Sequence, residues 1–496
     1  MGVSVNNQSG NDSAVKIRSV KFNAVMNFIL TSSSFLFPLI TFPYVTRVIG
    51  VEGNGRIAFV TSVVQYFSMF AMLGIPTYGI RACARVRDDK EKLSRTAQEI
   101  LILNLIVTGV VYVAFFAALF LVPRLHEDEA LMLVNSGAFI LSAIGMDWLY
   151  QAMEQYGYIT ARNLAFKIIS IVLMFVLVHQ SGDYIVYAAI TVFAGYASNI
   201  LNLINVRKII TVRPLPPFDL KRHVRPIMVF FGMSIAGTVY GSIATIMLGF
   251  MQDASVVGIF DAAAKLRNIL TSVVCALGPV LLPRLSYYLA KHKEAEFRSL
   301  VIKAFDCVII AALLLIGVFT ICAPEVVEIL AGPQYADAVV PMRLMMPVLL
   351  FVGLSNVTGL QILVPTGQEK KVMYSQIAGA VVAFVVNLFL IPAFGASGTS
   401  LGILLAELSV LVFQIFSLRS LLAKIWRRIS IIKPFVAMFI SVLATLAVRH
   451  FVQLGAFPLA VLSGTVFSVT YGSALLAMHD SFAVSMVSKV LRRTRV

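Results

Sequence analysis

Several ionisable side chains of this chain stand inside or at the edge of long apolar runs, and their types divide into two chemistries. Lys265 and Arg267 lie in the run FDAAAKLRN, and Arg343 lies one turn inside another. A cation at the centre of a membrane helix costs about 2.5–3.5 kcal/mol unless it faces protein or water, so each is a candidate for a hydrated anion site. Asp261 and Lys265, four apart on one helical face, can instead neutralise each other. Arg267 projects from a different side, and Arg343 can snorkel to the nearer interface. Glu407, Asp306 and Asp147 are carboxyls within or near apolar runs. A desolvated carboxyl exchanges its proton readily, which is what ion coupling needs. Glu407 lies nearest the middle of its run and fits that role best, although each of the three can also partner a neighbouring helix's hydroxyls or cations.

Motifs for covalent chemistry are missing. No GxxxxGK[ST] occurs, so nucleotide hydrolysis by a P-loop is excluded. His126-Glu127 lacks the second histidine of HExxH, and the six histidines show no ligand-like clustering. Gly398 to Gly402 matches GxSxG by letter but follows an apolar helical run, without the strand that a nucleophile elbow requires.

The elements that must position these groups are membrane helices. Hydrophobic residues make up 59% of the 496 and charged residues 13%, against about a quarter charged in soluble domains. Runs of roughly 20 apolar residues, the length that spans a bilayer, recur about fourteen times. The net charge of +16 sits in short loops: 33 of the 40 Lys and Arg fall in the two tails and alternate loops. The other loops hold only Arg47, Arg56, Arg124 and Arg449. That alternation places both termini in the cytoplasm by the positive-inside rule and leaves nucleic acid unneeded. Cys83, Cys275, Cys307 and Cys322 have no paired spacing and read as free thiols.

Two stretches repeat. LGIPTYGIRA, from Leu73, corresponds to LGPVLLPRLS, from Leu277, and Gln151 to Gly157 corresponds to Gln361 to Gly367. The expected fold is all-α and polytopic, with two six-helix lobes in parallel pseudo-twofold repeat enclosing a cavity, plus two further C-terminal helices. The expected divisions are an N-terminal tail 1–21, lobes 22–205 and 227–418 joined by a linker 206–226, the last pair 434–478 and a basic tail 479–496. Prolines 38, 43, 76, 279, 283, 341 and 347 interrupt the runs and would serve as hinges.

The run FPLITFPYVTRVIG (Phe37 to Gly50), then Gly53, Gly55, Tyr66-Phe67, LGIPTYGIR (Leu73 to Arg81) and Arg87-Asp88-Asp89 resemble the N-terminal signature of Wzx-type polysaccharide-biosynthesis flippases. Asp147 to Gln151 with Glu154 resembles the same family's fourth-helix end. The resemblance implies the multidrug, oligosaccharidyl-lipid and polysaccharide exporter superfamily. Its implied cargo is an undecaprenyl-diphosphate-linked oligosaccharide, moved across the bacterial inner membrane for O-antigen or exopolysaccharide assembly. Arg47, Arg81, Lys265, Arg267 and Arg343 would meet the diphosphate, and Asn27, Ser32, Ser33, Gln65 and Tyr66 are lumen walls by type. It implies no cofactor, proton or sodium coupling, a monomer, and as partners membrane lipids and the polymerase and chain-length machinery. A lipid II flippase, a multidrug pump and a membrane-embedded polymerase are the alternatives.

Overall fold

The computed structural model describes residues 20–276, 278–425 and 428–493; Lys16 and Arg18 of the N-terminal tail and residues 494–496 of the basic C-terminal tail lie outside them. Helices and short connections account for all the described residues, and no strand occurs among them. Nine helices are long and apolar enough to cross a membrane, ten if the bent pair Pro333–Met345 and Val348–Leu363 counts as one.

That number is smaller than the fourteen apolar runs partly because runs merge and partly because one helix carries too much charge. Val20–Met72 and Glu369–Ser417 each join two runs without a loop. At 1.5 Å per residue, 49 helical residues extend about 74 Å, more than twice the ~30 Å hydrocarbon core. Each is broken by a glycine in a conformation closed to other residues: Gly50 (φ 79°, ψ −176°) and Gly395 (φ 49°, ψ −123°). Ala254–Cys275, in turn, carries three charged residues and falls outside an apolar count. The stretch 323–338 forms the helix Ala323–Leu330 followed by a 3₁₀ turn Pro333–Ala338.

The surface is apolar, as lipid contact requires: Phe120, Leu121, Phe389, Ile432 and Phe451 are 70–83% exposed. Bulky side chains such as Phe59, Phe139, Phe260 and Phe467 fill the interior. A similar helix closure occurs in each repeated stretch, three residues further along in the second. Gln155 N donates to Tyr150 O (3.0 Å) and Gln368 N to Leu363 O (2.9 Å). In each case the preceding residue, Glu154 or Gly367, takes the left-handed conformation of a Schellman cap.

One buried ion pair ties the first half together. Met146 (φ 45°) breaks the chain between Glu129–Gly145 and Asp147–Ala152, placing Asp147 on the first turn of a new helix. There its carboxylate accepts from Arg162 Nη2 (2.7 Å) and Asn202 Nδ2 (2.8 Å). Arg162 lies inside the helix Tyr156–Leu177 and is buried. Its Nη1 donates to Ser198 O (2.8 Å) and Asn199 Oδ1 (2.9 Å), so one guanidinium links three helical segments. Removing one member of a buried pair strands the other at about 3–5 kcal/mol, and partial exposure of Asp147 points to the lower end. Asp147→Ala is expected to lower the detergent-solubilised melting temperature clearly, and Asp147→Asn, which still accepts a hydrogen bond, to lower it less. Equal and negligible effects in a thermal-shift measurement would contradict this role.

Candidate functional site

The polar groups fall at three levels between a basic end, where the lysine-rich connections collect, and the opposite end, whose loop cations are arginines. At the opposite end the two halves of the chain interlock through backbone. A Cβ on Gly55 would lie 1.7 Å from Ala254 O, and one on Gly258 would lie 2.1 Å from Val51 O, so only glycine permits this approach. The Tyr335 hydroxyl donates to Gly50 O (3.0 Å) and accepts from Asn54 Nδ2 (3.0 Å), while Gln334 donates through Nε2 to Thr46 O.

Arginines complete this end. Arg47 Nη2 donates to Ile329 O (2.6 Å) and Glu328 O (3.1 Å), at the close of the helix Ala323–Leu330, and Nη1 donates to Pro43 O (2.7 Å). Arg343 donates through Nε to Thr320 O (3.1 Å), Arg124 to Gly249 O (2.9 Å), and Arg449 pairs with the Glu325 carboxylate. Cations at helix C-termini satisfy orphan carbonyls and oppose the helix dipole. The structure thus places Arg47 in a contact between the two halves and Arg343 against a helix end.

At mid-depth Lys265 Nζ pairs with Asp261 at 2.6 Å and lies over the Phe42 ring, 5.3 Å from its centroid. Tyr187 is also close to this cation. Among these helices the Lys265 side chain stays 40% exposed. The ion pair with Asp261 thus leaves part of the Lys265 side chain exposed. Arg267, half-buried, stands two residues further along the same helix.

At the basic end Arg81 and Arg85, one turn apart on Ile75–Arg85, line a pocket of about 390 Å³ with Tyr78, Thr96, Arg222 and His223. Its wall is a network. The buried Glu99 carboxylate accepts from Asp219 N (2.9 Å), His223 Nε2 (2.7 Å) and Arg222, through Nε (3.0 Å) and more closely through Nη2. The His223 ring thus bridges Glu99, through Nε2, and the Tyr78 hydroxyl, 2.6 Å from Nδ1. Arg222 is thus balanced by Glu99, whereas no carboxylate among the described residues lies within ion-pair distance of Arg81 or Arg85.

The remaining acids differ in surroundings. Asp306 Oδ1 accepts from Ser430 N (2.8 Å). Glu407 is buried on the second part of Glu369–Ser417, near Cys275. Sequence reasoning missed Glu99, His223, Tyr78 and Tyr335. Glu99 alone left a signal, an acid at the inner edge of the run QEILILN; its partner lies 124 residues away.

The model of the polysaccharide biosynthesis protein family matches residues 20–289. The chain belongs to this family. It is 23% identical over 404 residues to a protein of Escherichia coli (strain K12) described as "Putative O-antigen transporter", covering 81% of this chain and 97% of that one. A Shigella dysenteriae protein of the same description is 26% identical over 405 residues, covering 80% and 99%. Among solved structures, the lipid II flippase MurJ in its inward closed conformation superposes with a TM-score of 0.72 at 12% identity, over 92% of this chain and 99% of that one. An inward-facing multidrug resistance transporter of the MATE family superposes at 0.55 and 13% identity, over 78% and 98%. The resemblance read from Phe37 to Asp89 and from Asp147 to Glu154 is borne out: this is a multi-span membrane transporter with a MurJ- and MATE-like fold, of a transporter family and not an enzyme.

The interlocked end yields a direct test. Asn54 is 4% exposed, so in an otherwise cysteine-free protein Asn54→Cys should react slowly with an impermeant maleimide. Adding Gly258→Val, which pushes against Val51 O, should raise that labelling severalfold; unchanged labelling would show that the glycine contact does not hold this end shut.

Proposed function

We propose that this chain is a flippase that moves undecaprenyl-diphosphate-linked oligosaccharide repeat units from the inner to the outer leaflet of the bacterial inner membrane, for O-antigen or exopolysaccharide assembly. The observation that carries this reading is Lys265, a cation on a helix of the bundle whose side chain stays 40% exposed beside its Asp261 partner. A diphosphate crossing a bilayer needs fixed positive charge in a wetted passage, since an unpaired buried anion is prohibitively costly. Arg267 adds to that charge, and Arg81 and Arg85 offer a first contact at the basic end. The family and the descriptions of its relatives supply the chemical class.

The topology behind this reading has fourteen spans: two six-helix lobes at 22–205 and 227–418, a linker 206–226, and the pair within 434–478. The glycine breaks at 50 and 395 divide the two longest helices, and similar caps occur at 154 and 367, three residues out of register with the repeat. The positive-inside rule puts the basic end and both termini in the cytoplasm. The interlocked end is then the periplasmic gate, held shut in this structure, and transport proceeds by alternating access. Prolines 38 and 43 lie within Val20–Met72, beside that gate. Glu407, buried on the second part of Glu369–Ser417, is the carboxyl we assign to proton coupling.

Liposomes carrying the purified protein and a labelled polyprenyl-diphosphate oligosaccharide test the proposal. Wild type should move the label, and Lys265→Ala/Arg267→Ala should slow it at least tenfold, about 1.4 kcal/mol of lost stabilisation. Movement of lipid II but not of the oligosaccharide would favour the lipid II flippase reading, to which the MurJ-like fold also conforms. Movement of neither by well-folded protein would overturn the flippase assignment. Glu407→Gln should abolish any acceleration by an imposed proton gradient; acceleration that survives would remove Glu407 from the coupling path.

A further inference from the structure

A second pocket at the basic end, of about 460 Å³, lies away from the passage, where the helix Glu294–Ile321 meets Arg428 and the terminal helix Ser481–Arg493. Arg298, Lys303 and Arg428 line it with Asp306, Ser481 and Ser485. The geometry points to a binding site for the headgroup of a phosphoethanolamine lipid, which cements the C-terminal helices to the transporter body.

Complementary charge carries the argument. Three cations around one cavity collect a phosphate, and Arg supplies the forked donors that phosphate oxygens match. Lys303 and Arg428 have no carboxylate within ion-pair distance among the described residues, and the Arg298 pair with Glu294 (2.6 Å) is a surface pair of small worth. The pocket also contains an acid, which a purely anionic ligand would disfavour. Asp306 is 4% exposed; its Oδ1 is occupied by Ser430 N, and its Oδ2 has no donor among the described residues. A primary ammonium beside a phosphate satisfies both sets of groups at once.

Neighbouring contacts explain why Asp306 is the acid left over. Asp480, fully buried, is consumed: Oδ1 accepts from Phe482 N (3.0 Å) and Ala483 N (3.0 Å), capping the terminal helix, and Oδ2 accepts from the Ser430 hydroxyl (2.5 Å). The terminal helix brings Ser481 and Ser485, one turn apart, to the cavity and leaves Val484 (42%) and Met486 (55%) exposed, as a helix lying in a membrane interface does. Lipid headgroups occupy that level, and basic pockets between membrane helices bind them.

Full-length protein in detergent, titrated separately with short-chain phosphatidylethanolamine, phosphatidylcholine and phosphatidylglycerol and read by native mass spectrometry, tests the assignment. Phosphatidylethanolamine should be retained about tenfold better than phosphatidylcholine, whose trimethylated nitrogen donates no hydrogen bond to Asp306. Asp306→Asn keeps the acceptor for Ser430 N and should erase that preference, and Lys303→Ala/Arg428→Ala should weaken retention of all three lipids. Equal retention of the three by wild type, stronger retention of phosphatidylglycerol, or an unchanged preference in Asp306→Asn would overturn the proposal. The readout involves no transport, so it stands or falls apart from the flippase reading.

Discussion

The contact of two carbonyls with two glycines sets the arrangement of everything else. Where Val51 O meets Gly258 and Ala254 O meets Gly55, helices from opposite halves approach at backbone distance, with no side chain between them. Small residues are how membrane helices pack when lipid removes the hydrophobic drive to associate. Such a contact is also switchable, because little apolar area is lost when it parts. Around it, Arg47, Tyr335, Asn54 and Gln334 bond largely to main-chain oxygens across the same seam. These bonds give the seam direction and register, and water can replace each of them if the seam opens.

The polar groups of the interior divide by what surrounds them. The Asp147–Arg162 pair and the Glu99–His223–Arg222 network are saturated, each acid meeting several donors, and they hold helices in place. Lys265 differs: beside one carboxylate and one aromatic ring, part of its side chain stays exposed. A group that stabilises the fold is closed off by its neighbours, and a group that meets a mobile ligand keeps one side open. The same distinction separates Asp480, which caps a helix and binds a serine, from Asp306.

Much of this was legible in the sequence because bilayer physics leaves few options. Apolar run length, alternation of basic loops and the FDAAAKLRN charges led to a multi-span transporter with a charged interior. Two things were hidden. Gly50 and Gly395 turn the chain by positive φ with no polar loop, so runs that read as separate merge into long bent helices. Partner choice was the other: Arg47 bonds to a residue 282 positions away and Glu99 to one 124 away, distances over which a single sequence carries no pairing signal. Arg162 shows the same limit, since a guanidinium buried with three acceptors looks, by letter alone, like one in a basic loop.

The central claim is that the two ends open in alternation about the glycine seam. Its most direct test is a pair of spin-label distance measurements in one reconstituted sample series, with labels at the exposed positions Glu127 and Glu328 for the interlocked end and Asp88 and Glu369 for the basic end. Addition of a polyprenyl-diphosphate oligosaccharide should lengthen the first distance and shorten the second. Distances that both stay fixed, or that change in the same sense, would contradict alternating access.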